Sequence, residues 1–196
     1  MTIGARCTAI LDSACEVFAR RGYQAATMRE VARASHLSLA GVYHYVGGKD
    51  ELLFLVLDRA LATLLAGLDK TLVDAEGGEA RLLALMRTHL EFGFAHPAAL
   101  RVVNRDWELL DEPRRAEIGA KRRAYIAAGV AILHELDPCA RAQDKLYSAT
   151  NLLLGMLNGI ATPSFLRAPG DPAAVAREVS TLFLHGFLGS HQRRVA

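Results

Sequence analysis

The chain has 196 residues, 52% of them hydrophobic and 22% charged, with a formal net charge of +2. That length can bury the core of one large domain or two small ones, and the composition excludes disordered, collagen-like and disulfide-stapled classes. The three cysteines, Cys7, Cys15 and Cys139, form no CxxC pair, which argues against a disulfide framework or a structural zinc site and fits a reducing cytoplasm.

Charge is unevenly placed. The first fifty residues hold Arg6, Arg20, Arg21, Arg29, Arg33 and Lys49 against Asp12, Glu16, Glu30 and Asp50, so the whole excess of two sits there, with the sign that meets a phosphate backbone. The N-terminus has no apolar run like a signal peptide. The most apolar stretch, Leu146 to Phe165, is broken by Asn151, Asn158 and Pro163. No membrane span is expected, and the expected location is cytoplasmic.

Apolar residues recur at helical spacing from end to end, and no stretch alternates like a strand. A first helix is predicted from Gly4 to Arg21, stacking Ile10, Ala14 and Phe18, with Leu11 and Cys15 widening the stripe and Gly22 as its C-cap. Thr27-Met28-Arg29-Glu30 spells a capping box that opens a second helix ending near Ser35. Ser38 caps a short third helix running to about Val46, and Gly47-Gly48 stops it. The fourth helix carries Leu53, Leu57, Leu61, Leu64, Leu68 and Leu72 along one side and ends at Gly77-Gly78. A fifth fills Glu79 to Ala95 and a seventh runs roughly from Glu112 to Leu136. His96-Pro97, Asp137-Pro138 and Asp171-Pro172 mark the starts of the sixth, eighth and ninth, with proline at the first helical position. The longest expected loop is Thr162 to Gly170.

Two short helices about three residues apart, behind an amphipathic support helix, have the layout of a helix-turn-helix. His36 sits where the turn favours left-handed dihedrals, which histidine tolerates better than most residues. Ser38, Leu39, Ala40, Gly41, Tyr43, His44 and Tyr45 are the candidates for the major groove, while Val42 belongs to the core. Thr27, Arg29 and Lys49 are the phosphate candidates, Lys49 because a cation at a helix N-terminus otherwise opposes the macrodipole.

Residues 10 to 53 resemble the N-terminal domain of the TetR family of repressors. The matching positions are Ala14, Phe18, Gly22, Tyr23, Thr27, Val31, Ala32, Leu37, Ser38, Val42, Tyr43, Lys49, Leu52 and Leu53. His36 replaces a glycine common in the family, and Val46 an aromatic residue. The resemblance implies an all-α chain of about nine helices, with a DNA-binding domain over residues 1–47 and a helical ligand-binding and dimerisation domain over 48–196. It also implies a homodimer paired through its last two helices. Their candidate interface residues are Leu153, Met156, Leu157, Ile160, Val179, Leu182, Phe183 and Phe187, and Gly155 and Gly159 leave a strip where another helix can approach closely.

The family usually binds a small effector between the two ends, and Phe54, Met86, His89, Phe92, Phe94, Trp107, Tyr125 and Asn158 are the lining candidates. More loosely, Gly155 to Phe187 resembles a TetR subgroup that controls lipid or sterol catabolism and responds to acyl-CoA esters. Arg101, Arg105, Arg114, Arg115, Lys121, Arg122 and Arg123 are the cations placed to meet the phosphates of such a ligand.

The expected function is a DNA-binding transcriptional regulator, a repressor that grips a palindromic operator as a dimer and is released by a small apolar effector. Neither a cofactor nor a metal is expected. The alternatives are a helical-bundle enzyme and a redox sensor using Cys7 or Cys15. No nucleophile motif, phosphate loop or paired-histidine metal signature supports an enzyme, and His89, His96, His134 and His185 are scattered.

Overall fold

The computed structural model describes residues 3–138, 143–162 and 171–192, and within the last segment the side chains up to 186. Among these residues the chain is all helical: α1 Ile3–Arg21, α2 Met28–Ala34, α3 Leu39–Tyr43, α4 Lys49–Val73, α5 Gly78–Ala95, α6 Pro97–Arg105, α7 Arg114–Leu136, α8 Gln143–Ile160 and α9 Pro172–Gln192. A single 3₁₀ turn, Trp107–Leu109, lies between α6 and α7.

Two boundaries differ from the sequence reading, each for a local reason. The third helix stops at Tyr43 instead of Val46, because the Tyr45 and Val46 amides both turn back to the Val42 carbonyl, at 3.0 and 3.2 Å. The fourth helix ends at Val73, before the glycine pair, and Gly77 at φ 83° swings the chain directly into α5. Pro138 sits in a turn, and α8 is described from Gln143, with residues 139–142 outside the described residues. The loop expected to end at Gly170 lies, over residues 163–170, outside the described residues.

The chain divides into two compact units, the first formed by Met1–Thr63 with Ala98–Lys121 and the second by Leu64–Pro97 with Arg122–Ala196. The divisions fall inside α4, α6 and α7, so neither unit is a continuous segment. In the first unit the α1 stripe is buried as the spacing predicts: Ile10, Ala14 and Phe18 are fully enclosed, and Phe18 meets the Tyr23 ring edge-on at 5.4 Å. Val31, Ala32, Val42, Val46, Leu52, Leu53 and Leu57 complete this core. Closing off so many aliphatic side chains from water, at about 1.5–3 kcal/mol each, is what holds α2 and α3, which at 7 and 5 residues are too brief to be stable alone.

The second unit is built on α5, which packs against both α8 and α9. Leu82, Leu85, Met86 and Leu90 are buried on it, joined by Ile132, Leu133, Leu146, Leu153 and Leu157. Small residues set the spacing. A Cβ added at Gly129 on α7 would stand 2.7 Å from Cγ2 of Thr150 on α8, closer than real carbon atoms approach.

Candidate nucleic-acid interface

The helix-turn-helix is assembled by backbone caps. Thr27 holds an extended backbone, its hydroxyl accepts from the Glu30 amide at 3.3 Å, and the Glu30 carboxylate accepts from the Thr27 amide at 2.9 Å. Both halves of the predicted capping box are thus formed. At its other end α2 closes in a Schellman motif: the His36 amide donates to the Arg33 carbonyl at 3.2 Å and the Leu37 amide to the Ala32 carbonyl at 2.9 Å. That motif requires a left-handed residue at its corner, and His36 supplies it with φ 56°. Two residues later Ser38 caps α3, its hydroxyl accepting from the Gly41 amide at 3.0 Å.

Capping fixes which side of α3 is outward. Val42 is fully buried, while Ala40, Tyr43 and His44 are exposed at i, i+3 and i+4, one contiguous face, with Tyr43 48% exposed. Ser38 is exposed at the start of this face. Leu39, Gly41 and Tyr45 are half-buried at its flanks, and Tyr45 meets the His44 ring edge-on at 5.2 Å. His44 and Tyr45 follow the last helical residue instead of lying within the helix.

The phosphate candidates differ in how free they are. Thr27 and Arg29 are exposed at the start of α2. The Thr27 hydroxyl also donates to Glu30, and the Glu30 carboxylate takes Arg21 Nε at 3.1 Å. The Thr27 amide and hydroxyl, then Arg21, hold that carboxyl below its ordinary pKa. Lys49 is half-buried: its Nζ donates to the Gln24 carbonyl at 3.0 Å and lies 4.5 Å from the centre of the Tyr23 ring. The neighbouring Asp50 accepts the Tyr23 hydroxyl. Together these contacts anchor the start of α4 to the turn after α1.

Some supports of this face were not singled out in the sequence. Glu51, in the third position of α4, reaches back to the Gly47 amide at 2.5 Å, and its place three residues after Gly48 was an available capping signal. Arg105, held by its neighbour Asp106, reaches the α1 backbone from more than eighty residues away in sequence, a target that no local pattern announces.

The effector candidates fall into both units: Phe54 and Trp107 in the first, and Met86, His89, Phe92, Phe94, Tyr125 and Asn158 in the second. Three of the latter form a hydrogen-bonded chain, with His89 and Tyr125 buried and Asn158 half-buried. His89 Nε2 lies 3.1 Å from Asn158 Oδ1, and His89 Nδ1 lies 3.3 Å from the Tyr125 hydroxyl. Because a carbonyl oxygen only accepts, Nε2 carries the proton and Nδ1 accepts from Tyr125. Burial pushes the His89 pKa down to about 4, so the ring is neutral near pH 7, and burial pushes Tyr125 up. Met86 and Phe92 are buried and Phe94 half-buried.

Of the cations considered for a ligand's phosphates, four already have acidic partners: Arg105 with Asp106, Arg114 with Asp111, Arg115 with Glu112 and Lys121 with Asp58. Arg101 and Arg123 are exposed and Arg122 is half-buried. Cys15 is buried with its thiol pushed up to about 12, by burial and then Glu16, the reverse of thiolate activation. Cys7 is half-buried, and Cys139 lies outside the described residues.

On the candidate dimer helices, Leu153, Leu157 and Val179 are buried within the second unit, Ile160 and Phe183 are half-buried, and Met156 and Leu182 are 43% and 71% exposed. Leu152 and Tyr147 add 69% and 50% exposure on α8, and a Cβ at Gly155, Gly159 or Gly186 would meet nothing within 4 Å. The Phe187 side chain lies outside the described residues. Among the described residues no group of acidic, histidine and cysteine side chains could hold a metal ion, and no helix is long and apolar enough to cross a membrane.

Comparison with known proteins covers both parts of the chain. Residues 10–56 match the family model of bacterial regulatory proteins of the tetR family, and residues 75–187 match that of the tetracyclin repressor-like C-terminal domain. The HTH-type transcriptional regulator HbdR of Aromatoleum sp. strain CIB is 37% identical over 54 residues, which are 28% of this chain and only 24% of that protein. A TetR-family transcriptional regulator from Bordetella parapertussis superposes with a TM-score of 0.87 at 28% identity, covering 96% of this chain and 98% of that one. AibR, crystallised with isovaleryl coenzyme A and operator DNA, shares the fold with a TM-score of 0.77 at 22% identity, over 90% of this chain and 97% of its own.

Proposed function

The chain belongs to the TetR family of bacterial regulatory proteins and is a DNA-binding transcriptional regulator, and from that premise we propose that it is a cytoplasmic repressor that holds a palindromic operator as a homodimer until a small apolar effector releases it. The observation that carries this reading is the outward face of α3 and its C-cap, where Ala40, Tyr43 and His44 stand exposed while Val42 is buried and Leu39 half-buried. Polar and aromatic groups held rigidly above a small core are suited to base edges and thymine methyls.

In this reading residues 1–47 form the DNA-binding domain and 48–196 bind ligand and dimerise. Ser38, Leu39, Gly41 and Tyr45 flank the reading face, while Thr27, Arg29 and Lys49 meet phosphates. Lys49 keeps a donor for this purpose, because an ammonium has three and the Gln24 carbonyl takes one. Dimerisation uses the exposed Met156 and Leu182 with Ile160, Phe183 and Phe187, backed by Leu153, Leu157 and Val179. A two-fold dimer sets its half-sites about one helical turn, ~34 Å, or a multiple apart.

The effector site uses the second unit's His89, Tyr125 and Asn158 as polar groups with Met86, Phe92 and Phe94 as apolar ones. An acyl-CoA ester is the first effector class to test, since AibR carries one. The engaged state of Arg105, Arg114, Arg115 and Lys121 leaves Arg101 and Arg123 as the exposed candidates for its phosphates. Turning a 99:1 preference for the operator-binding state into its reverse requires the effector to discriminate by ~5.5 kcal/mol.

Gel-shift titration against duplexes selected in vitro tests the reading. Binding should be sequence-selective and weaken steeply with salt. Tyr43→Ala or His44→Ala should lower operator affinity by about ten- to a hundredfold with the dimer intact. No selective, salt-sensitive binding overturns the repressor, and unchanged binding in both variants overturns the reading face.

A further inference from the structure

Arg105 ends α6, far in sequence from the helix-turn-helix but inside the same compact unit. Its guanidinium works in two directions. Nη2 donates to the Phe18 carbonyl at 2.6 Å and Nη1 to the Ala19 carbonyl at 3.4 Å, at the C-terminal end of α1. Its Nε and Nη2 also donate to the two oxygens of Asp106, at 2.9 and 2.8 Å. The Asp106 side chain is only 3% exposed, whereas that of Arg105 is 42% exposed.

A carboxylate taken out of water is costly unless paired, so Asp106 needs Arg105. Arg105 in turn cannot swing away to solvent while both Asp106 oxygens hold it. The last carbonyls of α1 carry the negative end of its dipole, and a cation placed there is stabilised. Only a planar fork can meet a carboxylate and two carbonyls together; an ammonium on a flexible stem cannot span them. The Phe18 carbonyl also accepts the Gly22 amide at 2.8 Å, so the latch closes on the residue where α1 turns toward α2.

We propose that Arg105, fixed by Asp106, is a positioning residue for DNA binding: it clamps the C-terminal end of α1 and thereby sets the orientation in which the helix-turn-helix presents Tyr43 and His44. It touches no DNA itself. The reading unit therefore extends into the segment matched by the C-terminal family model, through Ala98–Lys121. Two further links in the same unit act in the same sense, Lys121 to Asp58 and Arg59 to Asp12, but neither reaches backbone at the end of α1.

The test rests on the dimeric reading proposed above. It uses a duplex selected by the wild-type protein and a series of duplexes with the half-site spacing changed one base pair at a time. Two variants are compared: Arg105→Lys, which keeps a charge beside Asp106, and Arg105→Ala with Asp106→Ala, which leaves no orphaned carboxylate. Both should bind the best duplex about tenfold more weakly, the loss expected for hydrogen bonds to a charged group. Their spacing optimum should flatten, with an unchanged salt slope because the phosphate contacts are the same. A merely structural role lowers the melting temperature and leaves the spacing preference alone. Hydrogen exchange at the Gly22 amide should also quicken in both variants without DNA. A wild type with a sharp spacing optimum that both variants retain, at wild-type Gly22 exchange, overturns this inference alone. A wild type that selects no duplex, or has no spacing optimum, overturns the dimeric repressor and this inference with it.

Discussion

The two units use polar groups in opposite ways. In the first, hydroxyls and charges sit at helix ends and surfaces, where Thr27, Ser38, Glu30, Glu51 and Arg105 satisfy backbone groups that helices leave open. In the second, the buried His89 and Tyr125 form a neutral chain with the half-buried Asn158. The first arrangement holds an exposed face in one orientation, mostly through contacts of small cost, with the buried Asp106 paired to Arg105 as the exception. The second makes the unit sensitive to any change of proton or shape, since an unpaired or charged group in the interior has no water to turn to.

Acid should therefore strike the second unit hardest. His89 has a pKa of about 4 in the folded chain, against an ordinary value near 6.5. Between those values the unfolded chain binds more protons, so stability is complete above pH 6.5 and is lost as pH falls toward 4, by about 3 kcal/mol in all. Urea unfolding at pH 7, 6, 5 and 4.5 measures this loss. His89→Gln, which keeps a donor and an acceptor but does not titrate, should flatten the profile by about that amount. Equal slopes in both proteins place the acid sensitivity elsewhere.

The next effect concerns shape. Gly129→Ala gains up to ~1 kcal/mol of helix propensity, but its Cβ meets Thr150 Cγ2 at 2.7 Å. Overpacking of this kind costs about 1–3 kcal/mol, so a net loss is expected. Thr150→Ser removes the methyl and keeps the hydroxyl bond to the Leu146 carbonyl, and in the double variant it should recover most of the loss. A Gly129→Ala protein as stable as the wild type shows that the interior yields where the contact suggests it cannot.

In the first unit the corresponding losses are smaller and local. Thr27→Ala removes the cap of α2 and should cost about 1 kcal/mol in thermal or urea unfolding. The Glu30 carboxyl, freed of the Thr27 hydroxyl, should titrate nearer its ordinary value by NMR. An unshifted titration leaves the Thr27 amide and Arg21 as sufficient partners.

This contrast also sets how much of each unit is legible in the sequence. Caps are local in sequence, so Thr27 with Glu30, Ser38, and the buried Val42 were legible from spacing alone. The helix-turn-helix followed from them. His89, Tyr125 and Asn158 were each named as lining candidates, but their meeting depends on how α5, α7 and α8 pack, and residues 36 and 69 positions apart have no shared period. Phe54 and Trp107 belong to the other unit, which their spacing likewise does not reveal. Arg105 reads from sequence only as a cation for ligand phosphates, because adjacent Arg and Asp residues are commonplace and its targets are the backbone carbonyls of Phe18 and Ala19. On α8, apolar spacing marked Leu153 and Leu157 as interface residues, yet periodicity alone could not separate the buried stripe from the exposed Leu152 and Met156 beside it.

The smallest expected effect is at the corner between α2 and α3. His36 holds a left-handed backbone that costs a non-glycine residue about 1–2 kcal/mol. Glycine there removes that strain but brings about 0.5–1 kcal/mol of extra unfolded-state freedom. His36→Gly should therefore stabilise the chain by about 0.5–1 kcal/mol, visible as a modest rise in melting temperature. Because the Schellman bonds of the Arg33 and Ala32 carbonyls use only backbone amides, the turn should keep its geometry, and operator affinity should be unchanged. A gain in stability with a loss of affinity assigns the exposed imidazole a contact of its own on DNA. A loss of stability instead means that the side chain contributes more to the turn than its exposure suggests.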